Sequence, residues 1–173
     1  MLHSIKLFAR YNLATNEKIG NLLLGLEPAA YAQPRNTHFK SVQGLHLHMV
    51  STSKFLQSLI RTNSEGKYLV SPITEESFEV KPQTLEEASA LLTEYDKNLV
   101  AFGEALDEKD VTHPKTKRTM RSGKTFSISL SDLMTQYMVH TAHHRGQLSQ
   151  ILDEVGIEHD IGSVFPFMEE VRE

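Results

Sequence analysis

Apolar residues along this chain recur at intervals of three and four, the period of an α-helix with one buried face. The spacing predicts a first helix over about residues 3–25, with Leu7, Tyr11, Leu13 or Ala14, Ile19 and Leu22 turned inward. The prolines of LEPAAYAQPRNT interrupt it. A second helix is expected over about 38–60, with an inward stripe of Leu45, Thr52, Phe55, Leu56 and Leu59. RTNSEGKYLVSPITEESFEVKPQ reads as a long polar connection holding at most a turn of helix. Thr84 followed by Glu87 is a capping-box pattern, which opens a third helix running to about residue 106. The next stretch, VTHPKTKRTMRSGKTFSISLS, has a different character. RSGK has turn chemistry and TFSISL alternates, so a small β-hairpin is expected. Ser129 with Asp132 caps a last long helix over about 131–155, stopped by Gly156. The tail reads as loop with a short terminal helix.

Four long helices with long connections define an all-α fold. The expected architecture is a four-helix bundle with crossover connections and a small β-hairpin before the last long helix. No repeat or linker divides the chain, so residues 1–173 are expected to form a single domain, long enough to bury a core.

Composition narrows the chemistry. Cysteine is absent, which excludes disulfides, thiolate metal sites and cysteine nucleophiles. No signal-peptide core and no bilayer-length apolar run is present, so a cytoplasmic location without membrane contact is expected. The net charge of −4 argues against a nucleic-acid partner. Histidine stands out: there are nine, three of them in HTAHHRGQ, residues 140–147.

Helical phase sorts these histidines. At about 100° per residue, Leu130, Leu133, Tyr137, Leu148 and Ile151 share one face of the last helix. His140 and His144 fall on that face, one turn apart, where they can converge on one ion. His143 lies on the flank with Gln136, and Gln147 lies at the edge of the stripe. On the second helix His48 is on the inward stripe, whereas His46 points the opposite way, toward solvent. A lone core histidine is ordinarily a hydrogen-bonded packing residue. Three together are different, because each unpaired imidazole costs about 1–3 kcal/mol. A divalent metal takes up the lone pairs directly.

Three neutral imidazoles suit Zn²⁺, Ni²⁺ or Fe²⁺ and leave a coordination position open for water or substrate. A metal so held lowers the pKa of a bound water or thiol toward neutrality. Ligand histidines usually donate their second N–H to a carboxylate or carbonyl. Glu104, Asp132 and Asp160 are all candidates for that partner. Arg145 is suited to pairing with an acid on a neighbouring helix. Gly146 costs up to about 1 kcal/mol in a helix interior, which suggests close approach of another helix.

HTAHHRGQ matches the H-x3-H-R-G-Q motif of the DinB superfamily of metal-dependent enzymes, which the chain resembles over nearly its whole length. GLHLHMV is similar to the family's first ligand helix, and ARYNLATNEKI resembles its Y-N-x-W-x-N opening segment. The resemblance implies a bundle of four main helices with Ni²⁺ or Zn²⁺ on His48, His140 and His144. It also implies kinship with thiol-dependent transferases and isomerases that use mycothiol, bacillithiol or glutathione-type cofactors. A three-histidine enzyme of thiol S-transfer on a small-molecule substrate is therefore the leading expectation. A metal-dependent hydrolase and a non-catalytic metal-binding or ligand-binding bundle are the alternatives. Gln147 is then a candidate contact to a low-molecular-weight thiol cofactor. A homodimer is expected from the relatives, with Val50 and Val139 lying off the inward stripes. Two departures bear on the pocket: Leu13 replaces the usual aromatic, and STSKFLQSL lacks the Asp and Trp often found after the first ligand histidine.

Other chemistries lack their residues. There is no H-E-x-x-H, no G-x-S-x-G and no phosphate-binding glycine loop. Ser51, Thr52 and Ser53 lie near His48, but a serine triad needs more than that. The cationic HPKTKRTMRSGK reads first as a solvated hairpin and second as a clamp for an anionic cofactor.

Overall fold

The computed structural model describes residues 1–62, 68–70, 80–82, 84–112, 116–119 and 123–168. The long helices are α1 (Leu2–Leu24), α3 (Val42–Leu59), α4 (Leu85–Ala105) and α6 (Leu130–Glu154). Two short helices, α2 (Pro28–Ala32) and α5 (Glu108–Thr112), lie in the connections. The expected boundaries hold to within a few residues. The caps explain why: Thr84 Oγ1 accepts from Glu87 N, and Ser129 and Asp132 form a reciprocal capping box.

The expected hairpin is present as β3 (Thr116–Thr119) against β4 (Thr125–Ile128), antiparallel with Thr116 opposite Ile128. Its RSGK turn lies partly outside the described residues. The polar connection after α3 carries a second antiparallel pair, β1 (Ile60–Thr62) with β2 (Tyr68–Val70), where a connection with at most a turn of helix was expected. The tail makes one 3-10 turn at Phe165–Phe167.

Around the bundle α1 packs on α4, α4 on α3, and α3 on α6. Side chains close the ring between α6 and α1, with Phe8 edge-on to Tyr137 at 5.7 Å. Two apolar clusters fill the ends. One gathers Ile5, Phe8, Leu56, Leu59, Leu99, Leu133 and Tyr137; the other gathers Ile19, Leu23, Val42, Leu45, Leu148 and Leu152. The order in which each helix visits these clusters gives its direction. α1 and α6 run one way, α3 and α4 the other. Two parallel neighbours, α3 and α4, require the connection between them to return along the bundle, which is the crossover expected from its length.

The middle of the bundle is polar. Asp96, on α4, is fully buried. Its two carboxylate oxygens accept from Asn12 Nδ2 at 2.5 Å and Asn16 Nδ2 at 2.7 Å. Arg145 Nη2 donates to the side-chain oxygens of both asparagines. Its guanidinium also lies over the Tyr11 ring, 4.8 Å from the centroid. The expected pairing of Arg145 with an acid is not direct: its hydrogen bonds go to Asn12 and Asn16, which stand between it and Asp96. This layer corrects the face assigned to α1. Asn12, Thr15 and Asn16 are buried, while Tyr11, Leu13, Ala14 and Leu22 are only half-buried.

α3 departs further from its expected face. His46 is completely buried, not solvent-facing, and its Nδ1 lies 2.9 Å from the Tyr31 hydroxyl. The cause is α2, which lies over the outer side of α3. Val50 is also buried, packed with Ala88 and Leu92 of α4. Of the two valines assigned to a pairing surface, only Val139 is exposed. Gly146 also differs from expectation. A Cβ added there meets nothing within 4 Å among the described residues, so none of the described helices approaches it closely.

Candidate metal centre

The polar layer ends at one side in three histidines. His140 and His144 are one turn apart on α6, and His48 faces them from α3. His140 Nε2 lies 3.1 Å from His48 Nε2 and 3.1 Å from His144 Nε2. Three nitrogens at about 2.0–2.1 Å from one ion, at tetrahedral to right angles, stand about 2.8–3.4 Å apart. The two separations from His140 fall in that window. The three residues form a group able to hold a metal ion, and among the described residues no carboxylate or further histidine joins it. His143 is exposed, its ring 5.0 Å from that of His144 and outside the cluster.

The protonation states suit coordination. Burial, followed by the neighbouring His144, His140 and His38, depresses His48 to about 4. Burial and the neighbouring His144 and His143 lower His140. His144 is lowered by burial despite its bond to Gln147. All three rings are therefore neutral at neutral pH, with lone pairs available. His144 Nδ1 donates to Gln147 Oε1 at 2.8 Å, which fixes the proton there and leaves Nε2 as the acceptor.

Two of the carboxylates proposed for this supporting role are engaged elsewhere: Glu104 accepts from Arg10 at 2.7 Å and Asp132 caps α6. Asp160 is exposed, and its main-chain carbonyl accepts from Lys18. Gln147 supplies the contact instead. Its position three residues beyond His144, one turn along the same face, was the available signal. Phe39 was not anticipated. It stacks on His48 at 4.5 Å and meets His144 edge-on at 5.2 Å. Nothing in its sequence neighbourhood marks it, because it sits in an irregular connection. The hydroxyls near His48 do not form a triad. Ser51 and Thr52 donate to the carbonyls one turn back, and Ser53 bonds Tyr137. Thr52 Oγ1 also comes within 3.4 Å of His140 Nε2.

Behind Phe39 and Gln147 is a cleft of about 460 Å³, walled by Arg35, His38, Ile151 and Glu154 as well. A larger groove between α1 and α4 lies away from the histidines.

The DinB family model matches residues 1–169. The chain belongs to the DinB family. No curated protein and no solved structure gave a match. The three-histidine cluster fits a metal-binding protein of the DinB family. No described helix is long and apolar enough to cross a membrane.

Proposed function

We propose that this DinB-family protein is a metal-dependent enzyme of thiol S-transfer, with one divalent ion, Zn²⁺ or Ni²⁺, on His48, His140 and His144. The observation that carries the reading is the convergence of three neutral Nε2 atoms, with no carboxylate among the described residues joining them. Three protein ligands leave room for a further one, the arrangement of catalytic sites. When bound, the metal supplies Lewis acidity, which brings the pKa of a thiol or a water toward neutrality. The chain's own residues do the rest. Gln147 holds the His144 tautomer, burial keeps the three rings unprotonated, and the apolar face of Phe39 keeps water from one side of the cluster.

The sulfur comes from a small molecule, because the chain has no cysteine. The choice of thiol over water rests on family kinship. The test is consumption of glutathione, bacillithiol or mycothiol with a chloronitrobenzene, in which a carbon–sulfur bond forms as chloride leaves and the thiol proton passes to solvent. Metal-loaded protein is expected to exceed apo protein and the His144→Ala variant at least tenfold. Equal rates in all three would remove thiol transfer to such electrophiles and leave hydrolysis or ligand binding.

A further inference from the structure

His144 and His48 are supported differently. His144 has a hydrogen-bond partner at Nδ1, the amide oxygen of Gln147. His48 has none at Nδ1 among the described residues; its ring nitrogen contact is Nε2 to His140. A ligand imidazole usually takes its orientation from a bond at its second nitrogen. What His48 has instead is a flat partner: the Phe39 ring lies 30° from parallel to it, 4.5 Å between centroids. The same phenylalanine touches His144 edge-on, so one side chain braces ligands from two helices.

The loop that carries Phe39 is built to hold it there. Arg35 N–H donates to Lys40 O at 2.6 Å, and Lys40 N–H donates to Thr37 O at 3.1 Å, closing residues 35–40 on themselves. Lys40 has a φ of 65°, the left-handed region, which turns the chain sharply into α3. Ser41 then caps that helix through Gly44 N–H at 3.0 Å. Gly44 has no room for a side chain, because an added Cβ would run into the carbonyl oxygen of Phe39. The other end of the loop is tied to α6 by Arg35 Nη1 on Glu154 at 3.2 Å. The main chain at Phe39 is therefore seated directly on the first turn of α3, one turn before His48.

We infer that Phe39 is a positioning residue for the metal centre: its ring, seated by Gly44 and stacked on His48, fixes that imidazole. The inference rests on the metal-site reading above. It also accounts for Gly44 in GLHLHMV, four residues before the histidine it serves.

Zinc affinity by chelator competition and the visible spectrum of Co²⁺-loaded protein test it together. Phe39→Ala is expected to weaken zinc about 10-fold to 100-fold, the usual cost of losing a ligand's support. Its Co²⁺ bands should shift and broaden. Phe39→Tyr keeps the flat ring and should stay within about threefold of the unaltered protein by the same scale. Gly44→Ala leaves Phe39 intact but moves its main chain, and should reproduce the Phe39→Ala spectrum. Phe39→Leu preserves most of the bulk, so it decides the matter if the alanine variant does not fold. Affinity within threefold and an unchanged Co²⁺ spectrum in Phe39→Ala, or in Phe39→Leu in that case, would overturn the inference while leaving the metal site standing. Failure of the unaltered protein to bind Co²⁺ or zinc would overturn both.

Discussion

At the scale of single residues, helical phase picked out the three histidines that the fold brings together, but not the side chains around them. His140 and His144 lie four apart on a face with Leu133, Tyr137 and Leu148, and the fold keeps that face inward. His48 followed from the same arithmetic on α3. His46 did not, because solvent exposure depends on what covers the far side of a helix, and α2 supplies that cover. Gly146 offers a clean residue-scale prediction. It is exposed in the interior of α6, and a Cβ there meets nothing. Its cost relative to alanine is therefore not offset by packing. Gly146→Ala should raise stability by about 0.5–1 kcal/mol, read as a higher urea midpoint at unchanged slope. A lower midpoint would show that this position is covered by something beyond the described residues.

At the scale of elements, boundaries were legible where caps write them, at Thr84 and Ser129. The inner face of α1 was not legible, because Asn12 and Asn16 look like surface residues until Asp96 and Arg145 arrive from other helices. These four side chains join α1, α4 and α6 in a buried polar contact. Burial pushes the Asp96 carboxyl up to about 7, against the lowering pull of Asn16, Arg145 and Asn12. That value lies above the 3.8 of a free aspartate, so the folded state prefers the neutral acid, and this group's contribution to stability falls as pH rises through about 7. Removing the cation raises the carboxyl further. Arg145→Met should therefore cost more at pH 8, where a buried carboxylate loses the nearby cation that favours its charged form, than at pH 5, where the acid is already neutral. Urea unfolding at the two pH values measures this. An equal cost at both would mean that Arg145 acts on stability by packing alone.

At the scale of the whole molecule, two apolar ends enclose a polar middle, and the three histidines are part of that middle. The all-helical bundle and its crossover could be read from four amphipathic segments and the lengths between them. The second hairpin could not, since TNSEGKYLV carries too few alternating positions to distinguish a strand from loop. A metal that bridges α3 and α6 binds the folded chain and not the unfolded one. At 100 times its dissociation constant it should add about 2.7 kcal/mol to stability. The most direct measurement is metal content by mass spectrometry after loading with zinc or nickel and removal of excess. One ion per chain is expected in the unaltered protein and in His143→Ala. Near-complete loss is expected in His48→Ala, His140→Ala and His144→Ala. Full occupancy in His144→Ala with loss in His143→Ala, or no stoichiometric metal in the unaltered protein, would contradict the three-histidine metal site.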